Sequence, residues 1–230
     1  MGAQADLPKV GRMTDHSLIH FLDTRMTVHR AEMTCGKLSH TTKMPCPSYS
    51  LPVARCVTGA KLSLVEGSVC SKCYAKRGRH MFHTDSQETR WQSLTHPRWV
   101  EAVTHLIREE ANPHFRWHDS GDLAGAFHLR NIVQVARNLP EVKFWLPTSE
   151  IDLVREFAQH FGDFPQNLVV RVSTSLIDSK PRSDQSHTSS VHRHKEPHGF
   201  ECIAPTQGNK CLSCRACWDN GVKNVSHHFH

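Results

Sequence analysis

The cysteines are the residues of this chain best suited to chemistry, because a thiolate is both a nucleophile and a metal ligand. Nine are present: one set is Cys46, Cys56, Cys70 and Cys73, a second set is Cys202, Cys211, Cys214 and Cys217, and Cys35 stands apart. The N-terminus lacks an apolar segment of signal-peptide type, so we expect a cytoplasmic protein with reduced thiols rather than disulfides. The pattern predicts two metal sites.

The C-terminal set has the spacing C-x2-C-x2-C over Cys211, Cys214 and Cys217, with Cys202 upstream. Thiols at steps of three suit three irons of a cube better than one tetrahedral ion, and bacterial ferredoxins use the same core. Zinc sites more often pair two C-x2-C units across a longer span. We therefore expect a [4Fe–4S] cluster here, with zinc as the alternative.

The N-terminal set has its tight part in the segment GSVCSKCYAKRGR (67–79). Cys56 lies fourteen positions before Cys70, and Cys46 lies ten positions before Cys56. We expect Cys56, Cys70 and Cys73 to be the ligands, with Cys46 as a fourth ligand or a nearby thiol. Three protein ligands would leave one iron open to a substrate, whereas four would close the site.

A second group of reactive side chains follows the segment HFRWH (114–118), which has the pattern of a strand. His118, Asp119 and Asp122 place three ionisable groups in one strand-to-helix turn. Histidine can transfer protons near neutral pH, and either aspartate could orient it, hold a cation or bind an amine. A His–Asp pair at the end of a strand could instead cap the next helix. Three groups exceed what a cap requires, so we predict all three as catalytic residues.

The middle of the chain must position these groups, and its apolar pattern alternates between helix and strand. Apolar residues at helical spacing follow Pro97, run from Leu129 to Ala136, and run again over 151–161. At the start of the last of these segments, Ser149 and Asp152 resemble a capping box. Strand patterns cover 114–118, 142–147 and 167–173. Such alternation predicts an α/β protein with a parallel sheet. We expect a partial (βα) barrel or an open sheet with Cys-rich metal-binding flanks.

A length of 230 residues favours one domain. Within 1–230 we distinguish a Cys-rich region (31–83), a βα core (97–175), a mobile polar loop (178–198) and the C-terminal cysteines (202–218). We find no run of about eighteen apolar residues, so we expect no membrane span. The net charge of +6 permits an anionic partner without requiring one.

Residues 72–98 carry six basic side chains against two acidic ones, interleaved with aromatic residues. The basic residues are Lys72, Lys76, Arg77, Arg79, Arg90 and Arg98, and the aromatic ones in and beside the stretch are Tyr74, Phe82, Trp91 and Trp99. Basic groups with aromatics suit a nucleic-acid backbone and stacked bases. A solvated helix face with core tryptophans explains the same pattern, so both interpretations stay open.

Five blocks carry a resemblance to a known family. They are CPSYSLP (46–52), GSVCSKCYAKRG (67–78), RWHDSGDL (116–123), FWLPT (144–148) and CxxCRACW (211–218). Their order resembles a family of uncharacterised phage-encoded proteins known as gene product eighty-eight. The block C-x2-C-Tyr-Ala also resembles the end of the cluster motif of radical S-adenosylmethionine enzymes.

This resemblance implies a partial (βα) barrel, a [4Fe–4S] cluster and S-adenosylmethionine as a possible cofactor. The nearest equivalent of the glycine-rich cofactor segment is Asp119-Ser120-Gly121-Asp122, so Ser120 and Gly121 are expected to bind cofactor. Ser173 and Ser175 could meet a ribose or a carboxylate. We thus expect an intracellular iron–sulfur enzyme of a phage-infected cell, acting on nucleic acid or a nucleotide-like small molecule. The alternative is a non-enzymatic zinc protein that binds nucleic acid.

Overall fold

The computed structural model describes residues 25–76 and 84–229. Its helices are α1 (Val28–Cys35), α2 (Val57–Leu62), α3 (Thr84–Ser93), α4 (Trp99–Glu109), α5 (Ala126–Asn138) and α6 (Ile151–Phe161). Its strands are β1 (Ser48–Tyr49), β2 (His114–Trp117), β3 (Lys143–Thr148), β4 (Leu168–Ser173), β5 (Thr188–His192), β6 (Phe200–Glu201) and β7 (Asn224–His228). Single 3₁₀ turns lie at Val53–Arg55, Val69–Lys72, Tyr74–Lys76, Ala204–Gln207 and Ala216–Trp218.

The seven strands form one sheet in the order β1-β2-β3-β4-β5-β7-β6. Every neighbouring pair is parallel. Because all strands run the same way, their carboxyl ends meet at one edge, where ligands bind in such sheets. The predicted α/β class with a parallel sheet is confirmed.

Side chains that alternate along the central strands separate the two faces of the sheet. Phe115, Phe144 and Val170 pack with apolar residues of α4, α5 and α6 in the main core. The intervening residues Trp145 and Arg171 point to the other face, where Trp145 packs against Trp218 and Arg171 bonds the backbone of the same segment. The C-terminal cysteine segment therefore covers the face that those helices leave open.

The predicted helices and strands of the middle of the chain are confirmed, but two details are wrong. The capping box is absent, because α6 takes Glu150 as its N-cap without a side-chain hydrogen bond, and the Ser149 amide donates to Asp122. The polar loop predicted over 178–198 contains strand β5, of which four residues are buried. In the part of the chain that the structure covers, no helix has the length and apolarity to cross a membrane.

Candidate metal centres and ligand cleft

A cleft opens at the carboxyl edge of the sheet, the place where parallel sheets bind ligands. One wall carries the sulfur-bearing residues Cys56, Cys70 and Cys73. The opposite wall carries the turn after β2 and the end of β3, namely His118, Asp119, Ser120, Gly121, Asp122 and Ser149. The structure thus brings the predicted cysteine trio and the predicted catalytic turn together in one cleft.

Three different strand ends anchor the segment that carries these cysteines. Next to Cys56, Thr58 donates its amide (2.9 Å) and its hydroxyl (2.8 Å) to the carboxylate of Glu150, which follows β3. Next to Cys70, the Val69 amide donates to the carbonyl of Ser175, which follows β4 (2.9 Å). Next to Cys73, the hydroxyl of Tyr74 donates to the carbonyl of Asp119, which follows β2. The sheet edge therefore anchors the chain close to each of the three cysteines.

Gly59 lets two of the three thiols approach the same point. A Cβ on this residue would lie 3.8 Å from the sulfurs of both Cys56 and Cys70 and 3.0 Å from Cys56 Cβ. Burial raises the pKa of Cys56 to about 12, and the nearby Asp122 carboxylate adds to the rise. A thiol that binds metal must lose its proton, so metal binding at Cys56 would have to overcome this raised pKa. Thiols and carboxylates are the donor types that iron–sulfur clusters and zinc ions use, but these side chains do not converge closely enough here to hold one metal ion.

His118 forms part of the cleft wall in a strained and unsatisfied state. Its φ of 51° is left-handed, a conformation that costs a non-glycine residue of the order of 1–3 kcal/mol. The ring is buried, and neither nitrogen makes a hydrogen bond with full geometry, although the Pro147 carbonyl lies near it. Burial holds its pKa well below the usual range, and His128 and Arg116 add to this effect. His118 is therefore held as a neutral imidazole inside the cleft wall, with the Pro147 carbonyl beside its ring.

The two aspartates of the turn have different surroundings. Asp119 accepts from the Ser50 hydroxyl through Oδ1, while its Oδ2 makes no hydrogen bond within the described residues. Asp122 accepts from the Leu123 amide (2.8 Å), the Thr148 hydroxyl (2.6 Å) and the Ser149 amide (2.8 Å). Burial raises the pKa of Asp122 to about 6. Asp119 therefore has a free acceptor for a ligand, whereas Asp122 ties β2 to β3.

Ser120 and Gly121 fix the turn against the segment after β1. The Ser120 hydroxyl donates to the Leu51 carbonyl (2.8 Å), and the Leu51 amide donates back to the Ser120 carbonyl (2.8 Å). Gly121 has a φ of 81°, and a Cβ there would lie 2.6 Å from Leu51 Cβ. The glycine is thus required by backbone conformation and by close packing, and both residues still line the cleft.

Ser173 and Ser175, the other predicted cofactor-binding residues, do not line this cleft. The Ser173 hydroxyl lies 3.2 Å from that of Ser189 on β5. Ser175 contributes its carbonyl to the Val69 amide, as described above. These serines hold β5 and the Cys70 segment in place, which is a different role from the predicted contact with a ribose or carboxylate.

The second cysteine set lies on the helix-free face of the sheet. Cys202, Cys211, Cys214 and Cys217 line a small void together with Phe200, Ala204, Ala216, Trp218 and Val225. Across residues 25–76 and 84–229, no three His, Cys, Asp or Glu side chains converge closely enough to hold one metal ion. The four thiols predicted to act together are nevertheless brought to one void.

Cys46 joins this second set rather than the first. It is buried in the apolar cluster that contains Cys217, Trp145 and Trp218. Burial raises its pKa to about 12, and the neighbouring Cys211 thiol contributes to the rise. The backbone of the same segment meets the C-terminal loop, since the Cys211 amide donates to the Lys43 carbonyl (2.9 Å). The expectation that Cys46 accompanies the N-terminal trio is therefore wrong in position.

A buried arginine of β4 holds the C-terminal loop on the sheet. Arg171 is fully buried and donates to the carbonyls of Ala216 (2.9 Å), Cys217 (3.0 Å), Asp219 (3.0 Å) and Thr188 (3.3 Å). Trp218 adds a bond from its ring nitrogen to the Phe115 carbonyl (2.8 Å). The loop that presents two cysteines to the void is thus fixed by β2 and β4.

The basic and aromatic stretch that suggested nucleic-acid contact is largely structural where it is described. Arg90 is buried and donates to the carbonyls of Lys37 and Ser50, and Trp99 is a core residue. Arg98 pairs with Glu101 (2.7 Å). Arg77, Arg79 and Phe82 lie outside the described residues. Cys35, expected to stand apart, donates to the Ala31 carbonyl inside the core.

Fold and site define a parallel α/β protein with one cysteine-lined cleft at the carboxyl edge of its sheet and a second cysteine group on the sheet face. The family described as Gene product 88 matches residues 24–220, and this chain belongs to that family. Neither a curated protein nor a solved structure matches the chain.

Proposed function

We propose that this chain is an iron–sulfur enzyme of radical S-adenosylmethionine-like type, with a [4Fe–4S] cluster held by Cys56, Cys70 and Cys73. The observation that carries the proposal is their shared cleft with His118 and Asp119. Each cysteine segment is tied to a different strand end, so the sulfur positions are built into the fold. Three protein thiolates would leave one iron open to a ligand at the cleft.

When bound, such a cluster supplies the electron that cleaves S-adenosylmethionine and starts radical chemistry. The chain's own residues bind and orient the ligand. Oδ2 of Asp119 can accept a hydrogen bond from a ligand amine. The neutral ring of His118 lines the same cleft and can contact a bound ligand. The proposed ligand is a nucleotide-like small molecule, which carries groups that can hydrogen-bond to these side chains. The proposed location is the reducing cytoplasm of a phage-infected cell.

The second part of the proposal gives Cys202, Cys211, Cys214 and Cys217 a second [4Fe–4S] cluster with a structural or electron-relay role. Their arrangement around one void supports it, as does the ferredoxin-like spacing of the last three. Arg171 supports it further, because its four carbonyl contacts hold the loop that carries Cys217 against the sheet.

The decisive experiment is iron, sulfide and zinc analysis of protein that is purified and reconstituted without oxygen. We expect up to eight irons per chain on the two-cluster assumption, about equal sulfide, and absorbance near 400 nm, as thiolate-bound clusters require. Replacing Cys56, Cys70 and Cys73 with serine should remove about half of the iron, and the same change at Cys211, Cys214 and Cys217 should remove the other half.

Cys35→Ala is the matched control, because this thiol is buried in the core and lines neither site. It should keep the full iron content. A colourless protein without iron or sulfide would overturn the proposal. About two zinc per chain, with nucleic-acid binding that weakens steeply with salt, would establish the zinc alternative instead.

A further inference from the structure

The pairing of β5 with β7 places five buried polar side chains on one face of the sheet. They occupy alternate positions of the two strands, and each is at least nine-tenths buried: Thr188, Ser190 and His192 on β5, and Asn224 and Ser226 on β7. A buried polar group costs free energy unless it is hydrogen-bonded. When every member of such a group is satisfied, the hydrogen bonds specify a single arrangement of the side chains.

Asn224 sets the direction of these hydrogen bonds. Its Nδ2 donates to the carbonyl of His198, and a carbonyl can only accept, so the orientation of the amide is fixed. The same Nδ2 donates to the Ser190 hydroxyl (2.9 Å), while Oδ1 accepts from the Thr188 hydroxyl (2.8 Å). The Ser190 oxygen therefore receives one hydrogen bond and directs its own O–H elsewhere.

The direction passes from Ser190 through Ser226 to His192. Ser190 donates to Ser226 Oγ (3.2 Å), and Ser226 Oγ lies 2.8 Å from His192 Nδ1. Among the described residues, these are the only two hydrogen-bond partners of the Ser226 hydroxyl. Because the contact with Ser190 already holds the hydrogen of Ser190, the Ser226 O–H donates to Nδ1. Nδ1 is then an unprotonated acceptor, and the hydrogen of the neutral ring lies on Nε2.

The other side of the His192 ring agrees with this assignment. Nε2 is buried and makes no hydrogen bond of full geometry to any described residue, but Oε1 of Glu201 lies 3.5 Å away. An N–H at this position attracts the carboxylate, whereas a ring lone pair would repel it. Glu201 belongs to the edge strand β6 and is paired with Ser226 in the register of β6 and β7.

We propose that the five side chains form an orienting relay, which fixes His192 as the Nε2–H tautomer and directs that N–H at Glu201. Through this contact the relay holds β6, a strand of only two residues that leads into the C-terminal cysteine loop. The relay is thus a conformational device of the sheet edge. It needs no metal in either cysteine group, so it stands or falls separately from the proposed clusters.

The first test is nitrogen-15 NMR of the histidine rings in the full-length protein at about pH 8, above the usual pKa of histidine. His192→Gln assigns the signals. In wild type, Nδ1 of His192 should be unprotonated and Nε2 protonated. Asn224→Asp should reverse the relay, because a carboxylate cannot donate. Ser190 would then donate to the carboxylate and Ser226 to Ser190, so that Nδ1 of His192 must carry a proton.

The double variant Asn224→Asp/Ser190→Ala is the matched control. It keeps the new carboxylate but interrupts the relay before Ser226, so Nδ1 of His192 should be unprotonated again. Ser190→Ala alone should keep the wild-type pattern. A protonated Nδ1 in the double variant would show that the charge of the carboxylate acts without the relay, which would overturn the proposal. If Asn224→Asp does not fold, the wild-type spectrum decides, because a proton on Nδ1 there also overturns it.

The second test measures how firmly β6 is held, by hydrogen exchange of the Cys202 amide, which donates to the Ser226 carbonyl (2.8 Å). Glu201→Leu removes the acceptor of the His192 N–H, so the protection of this amide should fall about two- to fivefold. Glu196→Leu changes an exposed glutamate of the loop before β6 and should keep the wild-type protection. Equal protection in Glu201→Leu and wild type would show that the contact with His192 does not hold β6.

Discussion

Glu150 receives two hydrogen bonds from Thr58, one from its amide and one from its hydroxyl, across 92 positions of the chain. Glu150 begins α6 at the end of β3, and Thr58 follows Cys56 at the start of α2. This pair joins the sheet to the segment that carries the first of the cleft cysteines. The position of Cys56 therefore depends on a residue of the sheet edge.

Glu150→Ala should loosen the start of α2 and weaken metal retention at the cleft. Hydrogen bonds to charged acceptors are each worth about 1.5–3 kcal/mol, and partial exposure reduces that here. We expect about 1–2 kcal/mol less stability and a lower iron content after gel filtration. Glu156→Ala, an exposed glutamate of the same helix, is the control and should change neither. Equal iron retention in both variants would contradict the anchoring role.

Gly121→Ala should destabilise the protein for two separable reasons. Its φ of 81° is unfavourable for alanine, and the new Cβ would lie 2.6 Å from Leu51 Cβ and 2.7 Å from the Leu51 carbonyl oxygen. The conformation costs about 1–2 kcal/mol, and overpacking against Leu51 adds about 1–3 kcal/mol. The turn that carries Asp119 should shift as a result. Denaturant unfolding measures the total.

Gly162→Ala separates the two contributions to that loss. Gly162 also has a positive φ, 77°, but a Cβ there would meet nothing within 4 Å. Its variant should lose only the conformational part. If both alanine variants lose the same stability, the close approach of Gly121 to Leu51 has no energetic importance.

The sequence was sufficient for the central βα units because their apolar residues follow the helix and strand periods closely. Strand β5 escaped prediction because its sequence TSSVH has one large aliphatic residue. Its polar side chains are buried through bonds to β7, as in the pairs Thr188–Asn224 (2.8 Å) and Ser190–Ser226 (3.2 Å). Such pairing depends on which strand lies alongside, and no local pattern encodes that neighbour.

The grouping of the candidate site residues was only partly predictable from the sequence. Spacing separated Cys56, Cys70 and Cys73 from the C-terminal thiols, and the strand pattern placed His118 at a sheet edge. Spacing could not assign Cys46, because its neighbour Cys211 is far away in the chain. Arg171 did leave a signal, since a cation inside the apolar run LVVRVS must find buried acceptors.

Arg171→Met should release the C-terminal cysteine loop from the sheet. The substitution keeps much of the side-chain volume but removes this donor from the buried carbonyls of Cys217 and Thr188, and from the carbonyls of Ala216 and Asp219. Each unsatisfied buried group costs about 1–3 kcal/mol, so we expect a loss of at least about 3 kcal/mol. Amide hydrogen exchange should speed up at residues 214–219.

Arg155→Met provides the comparison for this loss. Arg155 pairs with Asp184 and Asp152 on the surface, where ion pairs are screened by water. We expect little change in stability and unchanged exchange at 214–219. Protection of that loop in Arg171→Met at the wild-type level would show that the packing of Trp218 alone holds it.

The buried histidine pair predicts that stability falls as the pH is lowered. His128 is fully buried, its Nδ1 accepts from the Ala124 amide (3.3 Å), and burial lowers its pKa to about 3. Burial also lowers the pKa of His118, 5.4 Å away between ring centres. An unfolded histidine has a pKa of about 6.5, so below that pH the unfolded chain binds protons that the folded chain excludes. The free energy of unfolding should therefore decrease from about pH 6.5 downwards, by about 1.4 kcal/mol per pH unit for each histidine.

His128→Asn removes one of these titrations. The amide oxygen of the new side chain can still accept a hydrogen bond from the Ala124 amide. The variant should be less stable than wild type at pH 7.5, because it lacks the imidazole ring that packs against Trp99 in the wild-type protein. Its stability should nevertheless decline less steeply than that of wild type between pH 6.5 and pH 5, since one fewer proton separates the unfolded and folded states. Urea unfolding at several pH values measures both slopes. His160 is exposed, so His160→Asn is the control and should keep the wild-type slope. Parallel slopes for wild type and His128→Asn would show that His128 does not exclude its proton in the folded protein.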